Sequence, residues 1–120
     1  MVENENARRP EPLRVASTAT NGVTVVRVSG QIDHASADPL IAALQPDTLG
    51  DQRRVIIDMR QVTFLDSTGI NILLAGHRDL TPAGWLRLAG ARNAVIRTLE
   101  LVGVDTVIPC YPTLQEALTG

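Results

Sequence analysis

The residues best equipped for chemistry stand together as Asp66, Ser67, Thr68 and Gly69, downstream of the apolar run Val55-Ile56-Ile57. A carboxylate, two hydroxyls and a glycine at a helix start admit two readings. One is a capped helix, with Asp66 or Ser67 accepting from the unpaired N–H groups of the first turn. The other is a modification or anion site, because a helix N-terminus favours negative charge. Spacing alone leaves both open. Three catalytic readings fail on the residues present. A serine nucleophile elbow needs Gly-x-Ser-x-Gly, but position 65 is leucine. An aspartic-protease turn has one hydroxyl residue between Asp and Gly, and here there are two. A phosphate-cradling loop ends in Lys followed by Ser or Thr, and this chain has no lysine.

Asp33 and His34 form a second point of interest, at the end of Gly30-Gln31-Ile32. Asp33 is either a turn or cap residue, or part of an acidic rim with Asp66 and Ser67. The rim reading follows if the loops leaving strand ends converge at one sheet edge. His34 reads as a solvated loop residue and His77 as a residue on a helix face. Neither stands in a recognisable triad pattern with Ser67. Cys110 is the only cysteine. It can form no internal disulfide, cannot hold a zinc by itself, and reads as a small buried residue late in the chain.

The elements that position these residues are legible in outline. Leu13, Val15 and Val23 to Val28 read as two strands, and Asn21-Gly22 between them is a hairpin signal. Ser36 is the expected N-cap of a helix from about Ala37, with Pro39 in its first turn and Ala37, Leu40, Ile41 and Leu44 on its buried stripe. Pro46, Asp47 and Gly50 mark a loop. Val55 to Ile57, apolar on both faces, fits a central strand. A second helix follows Asp66 and buries Ile70, Leu73, Leu74 and His77. Trp85 to Leu88 reads as a strand, and Ala91 to Val102 as a helix stopped by Gly103 in a left-handed cap. Val107-Ile108 gives a last strand and Thr113 to Leu118 a last helix. This alternation predicts an α/β fold, a mixed central sheet with helices packed on it, opened by an N-terminal hairpin. Residues 1–12, polar and proline-bearing, read as a disordered leader before a single domain over residues 13–118.

Composition narrows the function classes. The 120 residues carry 11 basic and 13 acidic side chains, for a formal net charge of −2. That balance argues against binding nucleic acid or an anionic membrane. Phe64, Trp85 and Tyr111 are the only aromatics, too few for a base-stacking platform. No stretch approaches the roughly 20 apolar residues of a membrane span, and the polar start is unlike a signal peptide. The expectation is a soluble cytoplasmic protein.

The combination G-Q-I-D-H at Gly30 to His34 with V-I-I-D-M at Val55 to Met59 and F-L-D-S-T-G-I at Phe64 to Ile70 resembles the STAS domain. More narrowly, it resembles the bacterial anti-sigma factor antagonists, from about Leu13 to Leu118. The resemblance implies a non-enzymatic binding module. Its unmodified form binds an anti-sigma factor that is also a serine kinase, freeing the sigma factor. Phosphorylation of the serine after the aspartate, here Ser67, ends the complex, and a serine phosphatase restores it. ATP would belong to the partner, and the domain itself would hold no cofactor or metal. By position, Asp33, His34, Asp66, Ser67, Thr68, Gly69 and Asn71 would meet the partner. The chain departs from the commonest pattern at Thr68, where a second serine is frequent, and at Asn71, where a small residue is frequent. Thr68 is thus a second candidate acceptor.

Electrostatics makes such a switch reasonable. A phosphoserine carries about −1.5 to −2 charges. At an assumed 6 Å from Asp66 in water-like dielectric, repulsion is roughly 1–1.4 kcal/mol. The helix end returns about 0.3–1 kcal/mol. The domain should stay folded, while the same charge in a packed interface costs far more. Two rivals follow: an unphosphorylated STAS subunit of a transporter-associated or stress-sensing complex, and a small nucleotide hydrolase.

Overall fold

The computed structural model describes residues 12–120. Strands β1 (Arg14–Thr20) and β2 (Val23–Ile32) form the antiparallel hairpin, pairing Arg14 with Ser29 and Thr20 with Val23. Asn21 and Gly22 both take positive φ, 49° and 78°, as a two-residue hairpin turn requires. Helices α1 (Asp38–Ala43) and α2 (Pro46–Leu49) lead to strand β3 (Arg54–Leu65). Helix α3 (Ser67–Leu80), strand β4 (Trp85–Ala89) and helix α4 (Asn93–Leu101) follow. A 3-10 turn (Val104–Thr106), strand β5 (Cys110–Tyr111) and helix α5 (Leu114–Thr119) complete the chain. The sheet order is β1-β2-β3-β4-β5, antiparallel in the first pair and parallel thereafter. This is the mixed α/β sheet that the sequence pattern predicts.

The two sheet faces are covered unequally. One packs against α1, α3 and α4, joining Val26, Val28, Val55, Ile57 and Met59 to Leu40, Leu73, Leu80 and Leu99. A fully enclosed aliphatic side chain of this size contributes about 1.5–3 kcal/mol. The other face carries a smaller cluster of Val23, Val25, Ile56 and Ala89 under Ala117, Leu114 and Leu118 of α5. The unbroken burial of Val55, Ile56 and Ile57 follows from this double cover.

Several local expectations are corrected. Ser36 is not the cap of α1. Ala37 occupies that place without a side-chain bond, and the Ser36 hydroxyl donates to Asp33 Oδ1 at 2.7 Å. Ile41 is 39% exposed, so α1 buries Leu40 and Ala43, with Ala37 and Leu44 buried at its two ends. The segment at Pro46 is one helical turn, because proline suits a first helical position as well as a loop. The last strand is Cys110–Tyr111, and Val107-Ile108 instead follows the 3-10 turn, with Ile108 buried. In α3 the enclosed residues are Gly69, Leu73, Gly76 and Leu80, while Ile70, Leu74 and His77 lie at the margin. Gly103 takes the expected left-handed conformation after α4. The expected leader, apart from Pro12, lies outside the described residues.

Candidate functional site

The candidate site lies where β2 and β3 end, and its geometry begins with Asp66. Its backbone is extended, and its Oδ1 accepts from Gly69 N at 3.2 Å, capping α3. Its Oδ2 accepts from His34 N at 3.3 Å, and its own N–H donates to Ile32 O at 3.2 Å. The loops after β2 and β3 are thus joined by one side-chain and one backbone bond. Asp33 does not share in this link. Its Oδ1 accepts from Ala35 N, Ser36 N and the Ser36 hydroxyl, all within its own loop. The His34 imidazole is exposed, and only its backbone reaches Asp66.

Ser67 is the first residue of α3 and is exposed, whereas Thr68 is half-buried. Gly69 is enclosed because the first turn of α3 sits directly on β2 and β3. A Cβ there would strike Leu65 Cδ1 and stand 2.8 Å from Ile32 Cγ2 and 3.1 Å from Ile32 O. Glycine is required by this close approach rather than by an unusual φ. Behind the turn, Thr68 and the exposed Asn71 open onto a groove of about 340 Å³ between α1 and α3, walled by Ile41, Leu44 and Ile72. Gly76, which also lines it, packs close against Leu44 at the end of α1. A Cβ at Gly76 would lie 3.3 Å from Leu44 Cδ1. Helical spacing puts Ile41 on the buried stripe and gives no sign of this groove, onto which Ile41 opens instead.

Two other groups have environments of their own. Asp58, 1% exposed, accepts from Arg60 N, Nε and Nη2, with Arg27 Nε 3.9 Å away. Burial pushes its carboxyl up, but the Arg60 hydrogen bonds and the charges of Arg60 and Arg27 outweigh this and hold it below the ordinary range. Cys110 is half-buried, and burial, with Asp105 and Glu100 nearby, pushes its thiol up to about 11. It therefore stays protonated at neutral pH, unlike a nucleophilic cysteine. His77 Nδ1 is enclosed without a hydrogen-bond partner among the described residues. Among those residues no three His, Cys, Asp or Glu side chains come together as metal ligands would, and no helix is long and apolar enough to cross a membrane.

A model of the STAS domain family matches residues 14–117. The chain belongs to that family. Its STAS domain is 29% identical over 111 residues to the anti-sigma-F factor antagonist RsfB of Mycobacterium tuberculosis, covering 92% of this chain and 91% of that one. It is 25% identical to the anti-sigma F factor antagonist of Paenibacillus polymyxa, covering 89% and 93%. The crystal structure of an anti-sigma factor antagonist from Mycobacterium paratuberculosis superposes with a TM-score of 0.85 at 33% identity, covering 92% of this chain and 95% of that one.

Proposed function

We propose that this STAS domain is an anti-sigma factor antagonist switched by phosphorylation of Ser67. The observation that carries the reading is an exposed hydroxyl on the first residue of α3, beside a carboxylate whose two oxygens are both engaged. The family relationship to named antagonists supports the choice of partner. The partner is an anti-sigma factor with serine kinase activity, met in the cytoplasm through Asp33, His34, Asp66, Ser67, Thr68, Gly69 and Asn71. Its apolar contacts fill the groove beside Thr68 and Asn71. Buried apolar anchors of this kind carry most of the energy of an interface.

In the switch, Ser67 Oγ attacks the γ-phosphorus of ATP held by the partner, its proton passes to a base of the kinase, and ADP leaves. The new phosphate meets Asp66, which cannot swing away without breaking its bonds to Gly69 and His34. At an assumed 6 Å the repulsion within the domain is roughly 1–1.4 kcal/mol, partly offset by about 0.3–1 kcal/mol from the helix end. The fold survives, and the penalty falls on the interface. A serine phosphatase then returns the hydroxyl.

The test is to incubate the full chain with the cognate anti-sigma kinase and ATP, then map the phosphate and titrate variants. One phosphate on Ser67 is expected. Ser67→Ala should bind and resist release by ATP, and Ser67→Asp should bind at least tenfold more weakly, about 1.4 kcal/mol. Phosphate mainly on Thr68, or equal binding by the two variants, would sink the proposal.

A further inference from the structure

The sheet face under α5 changes character beyond Ile56. On that side β3 presents Ile56, then the buried Asp58, then Arg60. Past them opens a groove of about 570 Å³, far larger than a single water site, lined by Pro12, Arg14, Ser29, Gln61, Thr63 and Arg92. Arg14 pairs with Ser29 across β1 and β2, and Ser29 pairs with Gln61 across β2 and β3, so these three form one row over three strands. Among the described residues, every polar side chain lining the groove carries a hydrogen-bond donor, and none is acidic.

The four arginines of this region are not equivalent. Arg27 and Arg60 share the charge of Asp58. Among the described residues, no carboxylate lies within ion-pair distance of Arg14 or Arg92. Arg92 is nonetheless held. Its Nε donates to Arg60 O at 2.9 Å, alongside the part of β3 beyond the β4 pairing, which ends at Asp58. One nitrogen anchors the guanidinium, and its two Nη groups have no hydrogen-bond partner among the described residues. A planar fork fixed in this way suits phosphate or carboxylate oxygens better than a freely rotating cation does. In a chain of net charge −2, two guanidinium groups on one groove with no carboxylate partner among the described residues are a local reversal of sign.

We propose that this groove is a second binding site, for a small polyanion whose phosphate or carboxylate groups are held between Arg14 and Arg92. Ser29, Thr63 and Gln61 supply the remaining donors. The site lies on a different face from the α1–α3 groove and does not depend on Ser67.

The test is calorimetric titration of the full chain with pyrophosphate and, separately, with citrate, at about 20 mM salt. Saturable binding with a dissociation constant below about 1 mM is expected. It should weaken at least tenfold in Arg14→Gln/Arg92→Gln and stay unchanged in Arg78→Gln, which alters an exposed arginine on α3. Matching melting curves for the two variants would exclude unfolding as the cause. Binding of pyrophosphate alone would identify a phosphate ligand, and binding of citrate alone a polycarboxylate. Saturation by neither, or equal affinity in the double variant and the parent, would overturn the proposal. Phosphorylation of Ser67 is scored separately, so failure here leaves the switch untouched and the reverse also holds.

Discussion

Strands β2 and β3 run parallel, end side by side, and each hands over to a loop that begins with aspartate. Asp33 folds its carboxylate back onto Ala35 and Ser36 and closes its own loop. Asp66 sends one oxygen forward to Gly69 and the other across to His34. One aspartate is a local fastener, and the other ties two elements together while capping the longest helix. The residue type and its place after a strand are the same in both. What differs is the distance to the next helix: α3 starts immediately after Asp66, whereas α1 starts five residues after Asp33. A carboxylate next to a helix start finds unpaired N–H groups at once, and a more distant one satisfies its own turn.

That contrast can be broken most severely at Gly69, which seats the first turn of α3 on Ile32 and Leu65. Gly69→Val should cost about 3 kcal/mol by overpacking, read from denaturant unfolding. A loss under about 1 kcal/mol would show that the loops are not rigidly apposed. Asp66→Ala comes next. It removes the cap and the link to His34 together, for an expected loss of about 2 kcal/mol. It should also slow Ser67 phosphorylation, and an unchanged melting temperature would make the crossed bond dispensable. Asp33→Asn should have the smallest effect, within about 0.5 kcal/mol, because an amide oxygen can replace Oδ1 as acceptor. If Asp33 also meets the partner through its charge, this variant lowers kinase affinity while its melting curve stays that of the parent. Equal effects of Asp33→Asn and Asp66→Asn on stability would erase the distinction between the loops.

How far the sequence foretold these features depended on whether the signal was local. Asn21-Gly22 demands its turn, and Asp66 finds its N–H groups three residues on, so the hairpin and the start of α3 were readable. Ser36 was misassigned because a nearby carboxylate captured its hydroxyl, a competition that spacing does not reveal. The full extent of β3 was hidden for a different reason. Past Asp58 it loses β4 as a neighbour, and register irregularities interrupt the alternation of its side chains against β2. The pattern therefore gives a strand only over Val55 to Ile57, and Arg60, Gln61 and Thr63 fall outside it. The groove at Arg14 and Arg92 joins residues nearly 80 positions apart, and only the fold brings them together.

The hairpin that opens the chain also decides how the sheet ends. At one margin β5 is two residues long, too short to recruit another strand. At the other, β1 offers seven residues whose outer backbone edge meets no strand among the described residues. Such an edge is a template for unwanted polymerisation, commonly blunted by lysine, proline or a bulge. Here the defence is different. The outer strand reads Arg-Val-Ala-Ser-Thr-Ala-Thr, with a single cation at its start and small, weakly apolar side chains along its length. A strand added there would gain backbone hydrogen bonds but bury little greasy surface. Solubility at this margin therefore rests on withholding hydrophobic reward, and replacing Ser17 or Thr18 with isoleucine would remove that safeguard.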